Sequence, residues 1–317
     1  MADKMQKKAT RDAYGEALVE LGHEFDNIVV LEADLSKSTK TELFAKEFPE
    51  RFFQMGIAEQ DMMGTAAGLA TCNKVAFAST FAIFATGRAF EQVRNSIAYP
   101  SLNVKICATH AGLTVGEDGG SHQAIEDIAI MRAIPNMTVI VPADATETAK
   151  ALRAIYHYDG PVYLRLGRPA VPIIYDENMN FQIGKANKLQ EGHDLAIIAT
   201  GIMVAPAMEA AEALKKEGIL AQVWDMATIK PIDKEAIREA AKTGAILTVE
   251  EHSIIGGLGS AVAEVVVENS PVPMQFMGVE DRFGQSGTPD ELLKAYGLTA
   301  ENIAIKAKEL ANKKSSS

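Results

Sequence analysis

Asn27-Ile28-Val29-Val30-Leu31 is an unbroken apolar run opened by a turn-forming asparagine, and Ala13, Ala17, Leu18 and Leu21 precede it at three- and four-residue spacing. That spacing puts the apolar residues on one helical face, and the run without alternation reads as a strand buried on both sides. The same alternation continues outward. Helices are predicted near 40–47, 60–70, 88–98 and 146–154, and strands near 52–55, 75–78, 104–108 and 137–141. From 165 to 192 the period is lost and Pro169, Pro172, Asn178 and Asn180 accumulate, as in an interdomain connection. Beyond it the alternation restarts with strands at 195–200, 221–224, 245–249 and 274–277 and helices at 205–216, 233–242 and 260–268. The expected fold is therefore α/β with two domains, the second smaller, each built on a parallel sheet covered on both faces. The expected boundaries are 1–172 for the first domain, 173–191 for a linker, 192–312 for the second domain and 313–317 for a disordered tail.

A chain of 317 residues with 47% hydrophobic and 23% charged residues can bury two cores. Its net charge of −11 opposes long-range attraction to nucleic acid or anionic membranes, so an anionic substrate needs a local basic pocket. Cys72 and Cys107 lack metal-site spacing and read as reduced core residues. No signal peptide or membrane span is legible, which gives a cytoplasmic expectation.

Two stretches carry chemistry. In Gly56-Ile57-Ala58-Glu59-Gln60-Asp61 a strand ends in a carboxylate just before a helix rich in glycine and alanine. Carboxyl ends of parallel strands are where ligands bind, but an acidic residue also complements the dipole of a first helical turn. The second stretch, from Thr109 to Gln123, places His110, Glu117, Asp118 and His122 in a glycine-rich loop after a strand. Histidines there can exchange protons or donate to phosphate oxygens; the competing readings are a metal site, although no zinc spacing is matched, and a solvated loop.

Gly56-Ile57-Ala58-Glu59-Gln60, Ser79-Thr80-Phe81-Ala82-Ile83-Phe84 and the His110–Gln123 loop, in this order, resemble the transketolase family over about residues 9–310. The resemblance implies a thiamine diphosphate pyrimidine-binding domain followed by the family's C-terminal domain. It also implies a Gly-Asp-Gly motif for the diphosphate and its metal, and none is present. The chain thus resembles the C-terminal subunit of a split transketolase. Thiamine diphosphate and Mg2+ (or Ca2+) would be gripped by an N-terminal transketolase subunit in an α2β2 heterotetramer, and no metal ligand is assigned to this chain.

By that resemblance Glu59 bonds the aminopyrimidine ring nitrogen, Phe81 and Phe84 stack on the ring, and Ile57 and Asp34 also line the cofactor. The carboxyl group is needed because protonating that nitrogen favours the imino tautomer that deprotonates the thiazolium. Ser38, His110, Asp118, His122 and Arg168 match positions that bind the sugar phosphate, with His110 also catalytic near the donor carbonyl. Lys7 or Lys8 stands where the family is expected to place a phosphate-binding arginine. Ala111-Gly112 is similar to deoxyxylulose-phosphate synthase, whereas His110 and Phe84 favour transketolase. A beta subunit of a thiamine-dependent 2-oxo acid dehydrogenase is the other alternative, but it lacks the Gly-Glu-Asp-Gly-x-x-His-Gln stretch. A reading from another class makes the chain a non-catalytic paralogue whose Gly256-Gly257-Leu258-Gly259 helix start receives an anionic effector.

Overall fold

The computed structural model describes residues 6–314. In the first half the order is β1 (Lys7–Ala9), α1 (Thr10–Glu24), β2 (Ile28–Glu32), α2 (Ser36–Thr39), α3 (Glu42–Glu47), β3 (Phe52–Gln54), α4 (Glu59–Thr71), β4 (Val75–Phe81), α5 (Phe90–Gln92), β5 (Val104–Thr109), α6 (Asp127–Ala133), β6 (Thr138–Ile140), α7 (Ala145–His157), β7 (Val162–Arg165) and β8 (Ala170–Pro172). The second half runs β9 (Asn187–Gln190), β10 (Leu195–Ala199), α8 (Val204–Lys216), β11 (Ala221–Asp225), β12 (Thr228–Lys230), α9 (Lys234–Ala241), β13 (Ile246–Ser253), α10 (Leu258–Asn269), β14 (Met274–Val279), α11 (Pro289–Ala295) and α12 (Ala300–Lys314).

The larger sheet has the order β12-β6-β7-β5-β4-β2-β3 and the smaller one β14-β13-β10-β11-β9. Both are parallel except at one edge, where β12 runs antiparallel to β6 and β9 antiparallel to β11. Every residue of β2, β4, β5 and β10 is buried, which is why these strands are predominantly apolar, with Glu32, Ser79, Thr80, Lys105 and Thr109 as buried exceptions. Close packing of α1 depends on Gly22, where a Cβ would stand 2.7 Å from the Phe44 ring.

The structure departs from the sequence reading in several places, and Cys72, read as a core residue, is exposed. Strand β7, in the middle of the sheet, and helix α6 were not anticipated. The segment expected as helix 88–98 is made mostly of wide π turns, with Ala89 N–H donating to the Phe84 carbonyl and Tyr99 N–H to that of Arg94. Part of the stretch 173–191 is β9, a strand of the second sheet. Helix α12 continues to Lys314, so 313–314 are helical, and 315–317 lie outside the described residues.

The halves are interlocked. Strand β12, from the second half, completes the first sheet, and the Val141 N–H donates to the Ala227 carbonyl at 2.7 Å. Between α7 and β11 lies a buried acidic group: Tyr175 donates to Asp225 at 2.7 Å, and Asp144 caps α7 through Glu147 N–H while accepting Ile174 and Tyr175 N–H groups. Burial pushes the Asp225 carboxyl up to about 7 and the neighbouring Glu147 well above the usual range. Glu147 Oε1 and Asp225 Oδ1 have no other partner, so one proton between them satisfies both. The folded state keeps this proton where the unfolded chain, with carboxyls near ~4, has released it. Its contribution is therefore fully present below about pH 4 and lost as pH rises toward about 7. Asp225→Asn should flatten this part of the pH dependence, read by denaturant unfolding at a series of pH values; an unchanged profile would exclude the shared proton.

Candidate active site

The carboxyl ends of neighbouring parallel strands converge on one edge of the first sheet. Asp34 and Ser38 follow β2, Glu59 follows β3, Phe81 and Phe84 close β4, His110 follows β5 and Arg168 follows β7. A loop is free of ladder hydrogen bonds at that edge, so its polar side chains are available to a ligand.

Glu59 begins α4 and is only 2% exposed. Arg88 Nη1 donates to both its carboxylate oxygens, at 2.9 and 3.0 Å, and the same guanidinium lies over the Phe84 ring at 4.5 Å. A buried carboxylate and an aromatic face thus already hold one flat cation between them. Phe81 stacks on His110 at 3.9 Å and lies near-parallel to Phe84 at 5.9 Å, while His122 meets Phe84 edge-on at 5.5 Å. Ile57, on the outer side of Glu59, is 77% exposed.

His110 is buried with a left-handed backbone, φ +57°. Arg11 Nη1 lies 3.2 Å from its Nε2 and 3.0 Å from the Ser38 carbonyl. A guanidinium only donates, so Nε2 is the acceptor and the proton sits on Nδ1, which donates to Thr109 Oγ1 at 2.9 Å. Burial, then the charges of Arg11 and Arg168, push the imidazole down to about 3, so it is neutral across the physiological range. Arg168 donates to the Val115 carbonyl and, at 3.1 Å, to Glu117. Asp118 is exposed on the same loop, and His122 is half-buried beside Ser121.

The sequence reading did not single out Arg11. Lys8 pairs with Glu16 and Lys7 lies in β1, whereas Arg11 reaches the histidine and the Ser38 turn. The overlooked signal is that a basic residue in a first helical turn opposes the helix dipole. Asp34 is exposed, with a left-handed φ of +62° and its N–H on Gln54. The helix start at Gly257 does not receive an external anion: Glu250 accepts the Leu258 and Gly259 N–H groups at 2.7 and 2.8 Å. Among the described residues no group of three or more His, Cys, Asp or Glu side chains is placed to hold a metal ion.

Removing Arg88 leaves the Glu59 carboxylate buried with no cation. Arg88→Ala should cost about 1–2 kcal/mol, the low end for an orphaned buried charged group because Arg88 is half exposed. Glu59→Gln made in the Arg88→Ala background should recover part of that loss in a double-mutant cycle read by chemical denaturation. Additivity of the two changes would refute the coupling.

The chain matches the family model "Transketolase, pyrimidine binding domain" over residues 6–173 and "Transketolase, C-terminal domain" over residues 184–303. It is 57% identical over 305 residues to a Methanocaldococcus jannaschii protein named as a transketolase C-terminal section, covering 95% of this chain and 96% of that one. It is 45% identical to a 6-deoxy-6-sulfo-D-fructose transketolase subunit of Clostridium sp. (strain MSTE9), covering 98% and 97%. A solved split-gene transketolase, described as an inactive beta4 tetramer, superposes with a TM-score of 0.89 at 56% identity, covering 97% of this chain and 99% of that one. The two domains thus match in the same order along nearly the whole chain, which belongs to the transketolase family.

Proposed function

We propose that this chain is the C-terminal subunit of a split transketolase, which moves a two-carbon ketol unit from a ketose phosphate to an aldose phosphate. The observation that carries the reading is the flat cation held between the Glu59 carboxylate and the Phe84 face. That pair of surfaces fits a protonated aminopyrimidine, and we assign the exposed Ile57 and Asp34 to the cofactor's margin. When bound, thiamine diphosphate supplies the carbon nucleophile. Glu59 holds a proton toward the ring nitrogen once Arg88 yields its place, and Phe84, with Phe81 behind it, fixes the plane of the ring.

The sugar phosphate is received by the remaining groups. Arg11 and Arg168 are forked donors suited to phosphate oxygens, and Ser38 and the neutral His110 complete that wall. His110 orients the donor carbonyl, Asp118 a sugar hydroxyl, and His122 the reacting end. An N-terminal subunit in an α2β2 assembly would hold the diphosphate and its Mg2+. In support, the split-gene relative is inactive as a tetramer of beta chains, as a half-site should be. The acidic chain with free Cys72 and Cys107 suits a cytoplasmic enzyme of pentose phosphate metabolism.

The chain mixed with its N-terminal partner, thiamine diphosphate and Mg2+ should consume xylulose 5-phosphate, and neither subunit alone should; turnover by the isolated chain would contradict the half-site. In the assembled enzyme Glu59→Ala should lower kcat by roughly a hundredfold or more while assembly persists. Arg11→Ala should raise KM for a phosphorylated acceptor and leave that for its unphosphorylated analogue nearly unchanged, which steady-state kinetics with the two sugars would read.

A further inference from the structure

The second domain touches the active-site loop from behind, and the contact is specific. Glu251, on β13, is buried, and its Oε1 accepts the Thr114 N–H at 2.6 Å across the domain boundary. Gly112 has φ +78° and lies so close that a Cβ there would collide with the Glu251 carboxyl group. Arg165 Nη2 donates to the Glu251 carbonyl at 3.0 Å and to the Ala124 carbonyl at 3.2 Å, and Ala124 in turn accepts the Gly112 N–H at 2.9 Å. At the far end of the loop Gln123 donates to Leu113 and to Gln285, a residue of the second domain, both at 3.0 Å.

Between these ties and β5 stands His110. A left-handed backbone at a residue other than glycine persists only where its surroundings impose it. The chain leaving His110 is fixed within four residues, by Ala124 at Gly112 and by Glu251 at Thr114. Glu251 is not simply the counter-charge of Arg165: the guanidinium bonds the Glu251 main-chain oxygen and the Asp127 carboxylate, while the Glu251 side chain is turned to the loop.

We propose that Glu251 is a positioning residue that acts through the Gly112–Thr114 turn to hold His110 buried against Phe81, so that the C-terminal domain works as the back wall of the substrate loop. The assignment deepens the function proposed above, since His110 is the group it aims. The carboxylate does this by accepting one N–H, not by its charge.

The test uses the full chain. Glu251→Gln keeps an acceptor oxygen at the same reach; Glu251→Ala removes it; Glu251→Asp keeps the charge but withdraws it by one methylene, and serves if the alanine variant does not fold. The first readout needs no catalysis: the His110 ring followed by NMR as a function of pH in the isolated chain. The parent and Glu251→Gln should show an imidazole that titrates near 3. In Glu251→Ala and Glu251→Asp the released ring should move by at least about one unit toward the ordinary histidine value near ~6.5. In the enzyme assembled with its N-terminal subunit, the same two variants should lose roughly tenfold or more in kcat/KM for the sugar phosphate, the scale of a misplaced group. Their affinity for thiamine diphosphate should be unchanged, and Glu251→Gln should restore the rate. Folded Ala and Asp variants with parental His110 titration would overturn the assignment, as would a Gln variant as impaired as Ala. Absence of transketolase turnover with the NMR result intact would instead refute the proposed reaction and leave the positioning role standing.

Discussion

A guanidinium placed between two domains and away from water is tolerable only when its N–H groups find acceptors and its charge a partner. Arg165 meets that demand. Its Nε donates to Asp127 at 2.7 Å, Tyr163 donates to the same carboxylate oxygen at 2.6 Å, and Nη2 spans the Ala124 and Glu251 carbonyls. Burial alone would raise the Asp127 carboxyl, but Arg165, together with His252 and the Tyr163 hydroxyl, keeps Asp127 below its ordinary value, so the pair is ionised where it lies. These acceptors come from the active-site loop, from α6 and from β13, so one side chain fixes the relation of the two sheets and of the loop between them. An apolar junction could bury as much surface, but it would not set the register of a loop.

This junction explains what the sequence disclosed and what it hid. The runs Ile28–Leu31 and Val104–Ala108 announce themselves because a strand covered on both faces is mostly apolar, even though the second carries the buried Lys105. Glu59 and the histidine loop stood out as polar residues after strands, but strand-end position alone left Glu59 equally open as a helix-start acid, and only the family resemblance gave these residues roles. Strand β12 was not: Thr228, Ile229 and Lys230 are assigned by pairing with β6, more than eighty residues earlier in the chain, and no local pattern records that partner. Strand β9 is half-buried and polar at a sheet edge, so it resembles a linker. Arg11 was hidden for the same reason, since its meaning lies in His110 and Ser38, which are distant in sequence.

The charge distribution connects fold to function. The chain as a whole is acidic, yet Arg11, Arg168 and Arg88 gather at the edge where Glu59, His110 and His122 meet. Burial, reinforced by Arg11 and Arg168, depresses the imidazole, which leaves His110 as a neutral hydrogen-bonding group and not a competing charge. An anion near this edge meets concentrated donors, while the rest of the surface repels it.

Glu59 presents the opposite balance. A carboxylate buried to this extent is costly unless a cation or proton accompanies it, and Arg88 supplies the cation from an irregular turn whose side chain remains half exposed. From that turn one guanidinium, four residues after Phe84, reaches both the carboxylate and the ring. A partner that is rigid and buried would bind Glu59 permanently. One that is half exposed, as Arg88 is, stabilises Glu59 while keeping part of its own hydration.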